Sequence, residues 1–153
     1  MNTPPKPDRR LILNLTLVGA RLRKHTDYQR AYAASRKRQS PSMSWFLAPQ
    51  QPVYAGASQS AGRPRVGLTA GKVLGKAHER NRIKRRMREA LRRHMELLPQ
   101  GCDLILHPRR VVLTLEFAKL EAEIVRILQQ ARAEAARIAA GQIPRSAGAK
   151  PAV

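Results

Sequence analysis

The sequence predicts an α+β domain, a small mixed sheet packed with helices in the manner of an α/β sandwich, on three observations. Two segments, Met43 to Ala48 and Arg65 to Ala70, alternate apolar side chains with others at the period of two that a strand requires. Two longer stretches, Ala77 to Leu98 and Thr114 to Ala140, hold neither Gly nor Pro and repeat apolar residues at helical spacing. A short apolar run, Cys102 to His107, is closed by Pro108 and reads as a third strand. With a helix near Thr26, the order becomes helix, strand, strand, helix, strand, helix, with room for a further short strand before the basic helix.

The chain has 153 residues, which fits one core with tails. Residues 1–20 form an N-terminal arm expected to be disordered, since Met1 to Asp8 carries three prolines and too little apolar surface to offset the entropy of ordering. The domain proper is 21–140, and 141–153 is an unstructured tail. Leu11 to Ala20 follows Arg9 and Arg10, but Asn14 and Thr16 interrupt it, it has no A-x-A cleavage site, and it is far short of the roughly 20 apolar residues that span a bilayer. It does not read as a signal peptide.

The first helix begins with Thr26 as cap and Asp27 at the positive end of the dipole, and sets Tyr28, Ala31, Tyr32 and Ser35 on one face. Basic residues and Pro41 within Ser35 to Ser42 end it. In the strand that follows, Met43, Trp45 and Leu47 point one way and Ser44, Phe46 and Ala48 the other. After a Pro, Gln, Gly and Ser loop, Pro49 to Gly62, Val66, Leu68 and Ala70 alternate with Arg65, Gly67 and Thr69. The sheet should therefore have one packed face and one open face carrying Phe46.

In the helix from Ala77 to Leu98, Ile83, Met87, Ala90, Leu91, His94 and Leu98 cover an arc of about 100°, the usual width of a core stripe. Asn81, Arg85, Arg88 and Arg92 lie opposite, flanked by Arg82, Arg86 and Arg93, and Glu89 stands four residues from Arg85 and from Arg93. Pro99 and Gly101 stop this helix. The last helix starts near Thr114, buries Phe117, Leu120, Ile124, Ile127, Leu128 and Ala131, and ends at Gly141.

The chain carries 30 Lys and Arg against 10 Asp and Glu, a formal charge of +20, so its partner should be a polyanion. A membrane surface would need an exposed bulky apolar helix face or an anchor, and neither is evident. The charge concentrates between Lys72 and Arg93, where ten basic residues face Glu79 and Glu89. An ordinary solvated helix mixes signs; this one is mostly Arg, whose planar fork suits phosphate. The single cysteine, Cys102, forms no internal disulfide, and no Cys/His spacing suits zinc, which fits a reducing, cytoplasmic setting. His25, His78, His94 and His107 are scattered, and Asp103 and Glu116 are isolated, so no catalytic group is assigned to the polypeptide. A DNA-binding helix-turn-helix is excluded because no short helix is placed to brace the basic one.

Arg65-Val-Gly-Leu-Thr69, Gly71-Lys72, the run Gly75 to Arg85 with its Arg80-Asn81-Arg82 signature, and Arg88-Glu-Ala-Leu-Arg92 together resemble the protein component of bacterial ribonuclease P. Weaker similarity extends from about Arg21 through Asp27-Tyr28-Gln29 and Tyr32 to the last helix. The resemblance implies a left-handed crossover between the strands at Arg65 and Cys102, against the usual hand. It implies a catalytic RNA whose magnesium ions serve hydrolysis of the phosphodiester joining the 5′ leader to mature tRNA, with the protein assisting. Carried across, Arg80, Asn81, Arg82, Lys84, Arg85, Arg88 and Arg92 would face that RNA, while Tyr28, Tyr32, Phe46 and Lys72 would hold the leader of precursor tRNA. Gly71 and Val73 depart from the family's Ser-Lys-Lys, and tyrosines stand where phenylalanines are frequent. The competing expectation is a structural RNA-binding protein such as a ribosomal protein, which the charge alone would favour.

Overall fold

The computed structural model describes residues 20–50 and 64–141. All of the expected arm but Ala20, which is buried at the end of it, most of the Pro49 to Gly62 loop, and the tail beyond Gly141 lie outside those residues. Within them the fold is α+β: α1 (His25–Ala33), β1 (Lys37–Gln39), β2 (Met43–Pro49), β3 (Arg65–Leu68), α2 (Ala77–Arg92), β4 (Cys102–Pro108) and α3 (Phe117–Ala139). The four strands form one sheet in the order β1-β2-β4-β3. β2 runs antiparallel to β1 and β4, whereas β3 and β4 are parallel neighbours joined through α2. Ala20 to Leu22 adds a parallel bridge on the outer edge of β3, with Leu22 N–H donating to Val66 O at 2.9 Å and Val66 N–H donating to Ala20 O at 2.6 Å.

Period two decides what each face carries. Met43, Trp45 and Leu47 of β2, Leu104 and Leu106 of β4 and Val66 of β3 pack with Ile83, Met87 and Leu91 of α2 and with Leu120, Ile124 and Leu128 of α3 in the main core. On the other face Ala48 and Ile105 meet Leu22 and Ala31 in a smaller cluster, ringed by Tyr28, Tyr32 and Phe46. The face expected to be open is thus partly roofed by α1.

Several boundaries differ from the sequence expectation. α1 starts at His25 with Lys24 in the capping position; Thr26 lies exposed inside the first turn and does not cap. The segment expected only to end that helix contains β1, held by the neighbouring strand and by α3: Arg38 lies over the Trp45 ring at 5.2 Å and pairs with Glu134, while the hydroxyls of Ser40 and Ser42 donate to Glu123 at 2.6 Å. The extra strand therefore precedes β2; where a short strand seemed possible, before α2, Lys72–Leu74 form a 3-10 turn. α2 ends at Arg92 rather than Leu98, because His94 leaves helical geometry and a 3-10 turn, Met95–Leu97, swings Met95 into the core. His94 is half-buried, its Nε2 3.5 Å from Glu121. α3 begins at Phe117, not near Thr114, since the residues before it form a 3-10 turn, Arg110–Leu113, whose carbonyls are captured by Arg86.

Candidate nucleic-acid interface

α2 begins cleanly because Glu79 reaches back to accept the Lys76 N–H at 3.0 Å, satisfying a donor the helix cannot. Gly75 supplies the turn before it, with φ 122°, where a side chain would also strike Glu79 and Arg110. Arg110 in turn pairs with Glu79 at 2.6 Å and donates to Leu74 O at 2.8 Å. These contacts draw the Glu79 carboxyl below its usual range, the Arg110 hydrogen bond contributing most.

The buried stripe of α2 is Ile83, Met87, Ala90 and Leu91, so the signature cations are displayed on its remaining surface. Asn81, Arg82 and Arg85 are exposed; Arg80, Lys84, Arg88 and Arg92 are half-buried along its flank. Among the described residues Arg80, Arg82, Lys84, Arg85 and Arg88 have no ion-pair partner, while Arg92 lies 3.5 Å from Glu89. Glu89 pairs with Arg92 and Arg93, not with Arg85 as its spacing also allowed.

Two of the flanking cations are not displayed for a ligand. Arg86 donates to the carbonyls of Val112 at 2.8 Å and Leu113 at 2.9 Å and also to Leu115 O, clamping the turn before α3 to the helix. Arg93 pairs with Glu121 at 2.9 Å and lies 4.8 Å from the Phe117 ring centre.

Lys84, Arg88 and Arg92 form one wall of a groove of about 780 Å³ whose other lining includes Arg21, Arg23 and Tyr28, with Val66, Leu68 and Leu91 as an apolar floor. Arg82 lies on a second groove of about 610 Å³, with His78, Arg86 and Leu113 to Leu115. The signature residues thus serve two sides of one helix.

The aromatic site adjoins that first groove, the two sharing Tyr28. Tyr32 and Phe46 meet edge to face with ring centres 5.0 Å apart, and Tyr28 and Tyr32 are 6.4 Å apart. Tyr28 rests on the sheet only because position 67 is glycine: a Cβ there would come within 2.7 Å of the Tyr28 hydroxyl. That hydroxyl donates to Leu22 O at 3.2 Å. Burial raises both tyrosine hydroxyls above their ordinary range. The rings are half-buried, so a reading as pure core accounts for only part of their surface. Lys72 is brought to the 3-10 turn beyond β3, exposed, with Val73 beside it 92% exposed.

Two residues of this face went unassigned in the sequence. Arg65 is the clasp beneath α1: it grips Asp103 through two bonds of 2.8 Å and reaches Asp27 at 3.2 Å. Asp27 is therefore an ion-pair partner as well as a first-turn acid. His107 stands in the aromatic cluster, its Nε2 2.7 Å from the Tyr32 hydroxyl and its ring 5.1 Å from Phe46. The alternation of β4, with Asp103, Ile105 and His107 on one side, is the signal that reaches both His107 and the partner of Arg65.

The family model described as Ribonuclease P matches residues 18–132, which takes in every element named above and α3 as far as Arg132. The chain belongs to the ribonuclease P protein family. The ribonuclease P protein component of Symbiobacterium thermophilum is 34% identical over 112 residues, covering 72% of this chain and 90% of the relative. That of Herpetosiphon aurantiacus is 33% identical over 112 residues, covering 73% and 84%. Among solved structures, a Staphylococcus aureus RNase P protein mutant superposes with a TM-score of 0.63 at 21% identity, over 80% of this chain and 96% of that one. The RNase P protein from Thermotoga maritima gives 0.59 at 23% identity, over 72% and 96%. At those identities the likeness establishes the shared fold, and the sequence matches establish the ribonuclease P family.

Proposed function

We propose that this chain is the protein subunit of ribonuclease P, binding the catalytic RNA through α2 and holding the single-stranded 5′ leader of precursor tRNA on the aromatic face. The observation that carries this reading is Tyr28, which belongs at once to the ring cluster and to the lining of the cationic groove, so a strand stacked on the rings runs continuously onto Lys84, Arg88 and Arg92. Stacking on aromatic rings beside cations is how single strands are held without reading sequence. A structural RNA-binding protein would need the cations but not a half-buried ring cluster beside them.

Hydrolysis, with the Mg2+ it uses, is assigned to the RNA; the polypeptide's part is to position the substrate and neutralise phosphate. Among the described residues no group of three or more His, Cys, Asp or Glu gathers to hold a metal, and none of their helices is long and apolar enough to cross a membrane. The cytoplasm is the proposed setting, with Cys102 buried in β4 as a free thiol.

The test is reconstitution. Purified protein added to a bacterial ribonuclease P RNA at low magnesium should restore cleavage of precursor tRNA at the 5′ end of the mature sequence, and the protein alone should cut nothing. Cleavage by RNA-free protein, or failure to stimulate the RNA, would overturn the assignment.

A further inference from the structure

The sheet face beneath α1 is laid out in rows by the strand register. Gln39 pairs with Ser44, Ser44 with His107, and Leu68 with Leu106, so Thr69 follows beside His107. Cross-strand partners share a face, and this row of Gln39, Ser44, His107 and Thr69 is polar throughout. The next row is Lys37, Phe46, Ile105 and Gly67, and the one beyond it pairs Ala48 with Asp103 and Asp103 with Arg65.

Charge is distributed unevenly over these rows. At the far end Asp103 and Asp27 are both engaged by Arg65. Around His107, by contrast, the neighbours are Tyr32 from α1, Lys37 and Gln39 from β1, Ser44 and Phe46 from β2, Thr69 beyond β3, and Arg109 at the end of its own strand. Arg109 reaches the Ser44 hydroxyl at 3.4 Å and also binds Gln39. Among the described residues named here there are two cations, Lys37 and Arg109, and no carboxylate. The Thr69 hydroxyl is buried there without a hydrogen bond of normal geometry.

We propose that His107 is a further ligand for the bound strand, neutral in the free protein and protonated when a strand phosphate enters the cleft, so that strand binding takes up one proton from solvent. The inference rests on the reading of this face as the leader site. Burial, and then the charge of Lys37, hold His107 below the ordinary histidine range, which keeps it neutral until an anion arrives. Its bond to Tyr32 survives the change because a phenol can serve either role. With a bare Nε2 the tyrosine hydroxyl donates; with Nε2 protonated the same oxygen accepts, and Nδ1–H is left for a phosphate oxygen. A proton gained only in the complex must make affinity rise as pH falls.

The experiment uses the full chain with a short oligouridylate, chosen because uridine and the internucleotide phosphates do not titrate near neutrality. Wild-type affinity at constant ionic strength should weaken on the order of three- to tenfold between about pH 6 and about pH 8, and His107→Gln should remove that slope. In parallel, the His107 ring resonance should titrate at higher pH with the oligonucleotide bound than without it. A flat wild-type profile, a slope retained by His107→Gln, or an unmoved His107 titration would overturn the proposal. The resonance measurement needs only wild-type protein, so it decides the matter even if the variant does not fold. Phe46→Ala separates the two readings: if loss of that ring leaves oligouridylate affinity unchanged, the strand is not on this face and the leader site itself is wrong.

Discussion

The two faces of the sheet are built from the same four strands and put to opposite uses. Against α2 and α3, Trp45, Leu104 and Leu106 are at most 1% exposed, and Arg38 of β1, which lies over Trp45, is neutralised there by Glu134. Beneath α1 the same strands offer Ser44, Phe46, Asp103 and His107, and the cover is a nine-residue helix. A face sealed on both sides supplies stability but has nothing left to bind with. A face roofed by a short helix keeps its aromatic rings and His107 half accessible, and needs a separate device, the Arg65 clasp, to hold its roof in place.

The sharpest way to break this contrast is to damage each side in turn. Leu106→Ala, in the sealed face, should cost about 2–5 kcal/mol in denaturant unfolding, since the emptied volume cannot collapse. Arg65→Met should come next, at about 2–3 kcal/mol: it leaves buried Asp103 without its cation and Asp27 with only Arg30 at 3.4 Å, discounted because the guanidinium is itself partly exposed. Its signature would be local, with amide exchange in α1 accelerating more than in α3.

Tyr28→Ala or Phe46→Ala should weaken binding of precursor tRNA by about 1–3 kcal/mol per ring while mature tRNA and the catalytic RNA bind as before. Affinity should then grow less with leader length than in the wild type. A fall in melting temperature as large as that of Leu106→Ala, with leader dependence intact, would move these rings into the core side of the comparison.

A similar division runs along α2. Arg88→Ala should lower the dependence of RNA affinity on salt by up to about one unit with little change in melting temperature. Arg86→Ala should do the reverse, because its guanidinium is spent on the carbonyls of Val112, Leu113 and Leu115. Equal salt effects from both would erase the distinction.

The smallest effect expected is on stability against pH. His107 has a folded pKa below its unfolded value, held down by burial and by Lys37. The unfolded chain therefore binds the proton first as pH falls. Its contribution to stability is complete above about pH 6.5 and is lost as pH drops through the folded value, a loss that His107→Gln should abolish.

What could be read from the sequence followed the range of the forces involved. The stripe Ile83, Met87, Ala90, Leu91 and the alternation of Met43 to Ala48 are local periodicities, and both fall where they were expected. The basic signature was legible because charge density needs no fold to be seen. β1 was not, since a three-residue strand of Lys, Arg and Gln has no pattern and its segment depends on Glu134 and Glu123, both distant in the chain. The ends of α2 and α3 were misjudged for a related reason: Met95 and Arg86 are satisfied by tertiary contacts that override helix propensity. His107 has no partner at a recognisable spacing in the sequence; only strand register and the packing of α1 set it beside Phe46 and Tyr32.

The edges of the sheet bear on how such a protein survives before it meets its partner. An unpaired strand edge is a template for another chain, and a protein awaiting RNA must avoid pairing with its own copies. On the β3 side the backbone of Ala20 to Leu22 already occupies the edge. On the other side the outermost strand is three residues long and carries the exposed Lys37, so two copies approaching there bring like charges together before any hydrogen bond can form. The same positive charge that draws the chain to RNA thereby keeps it dispersed while it waits.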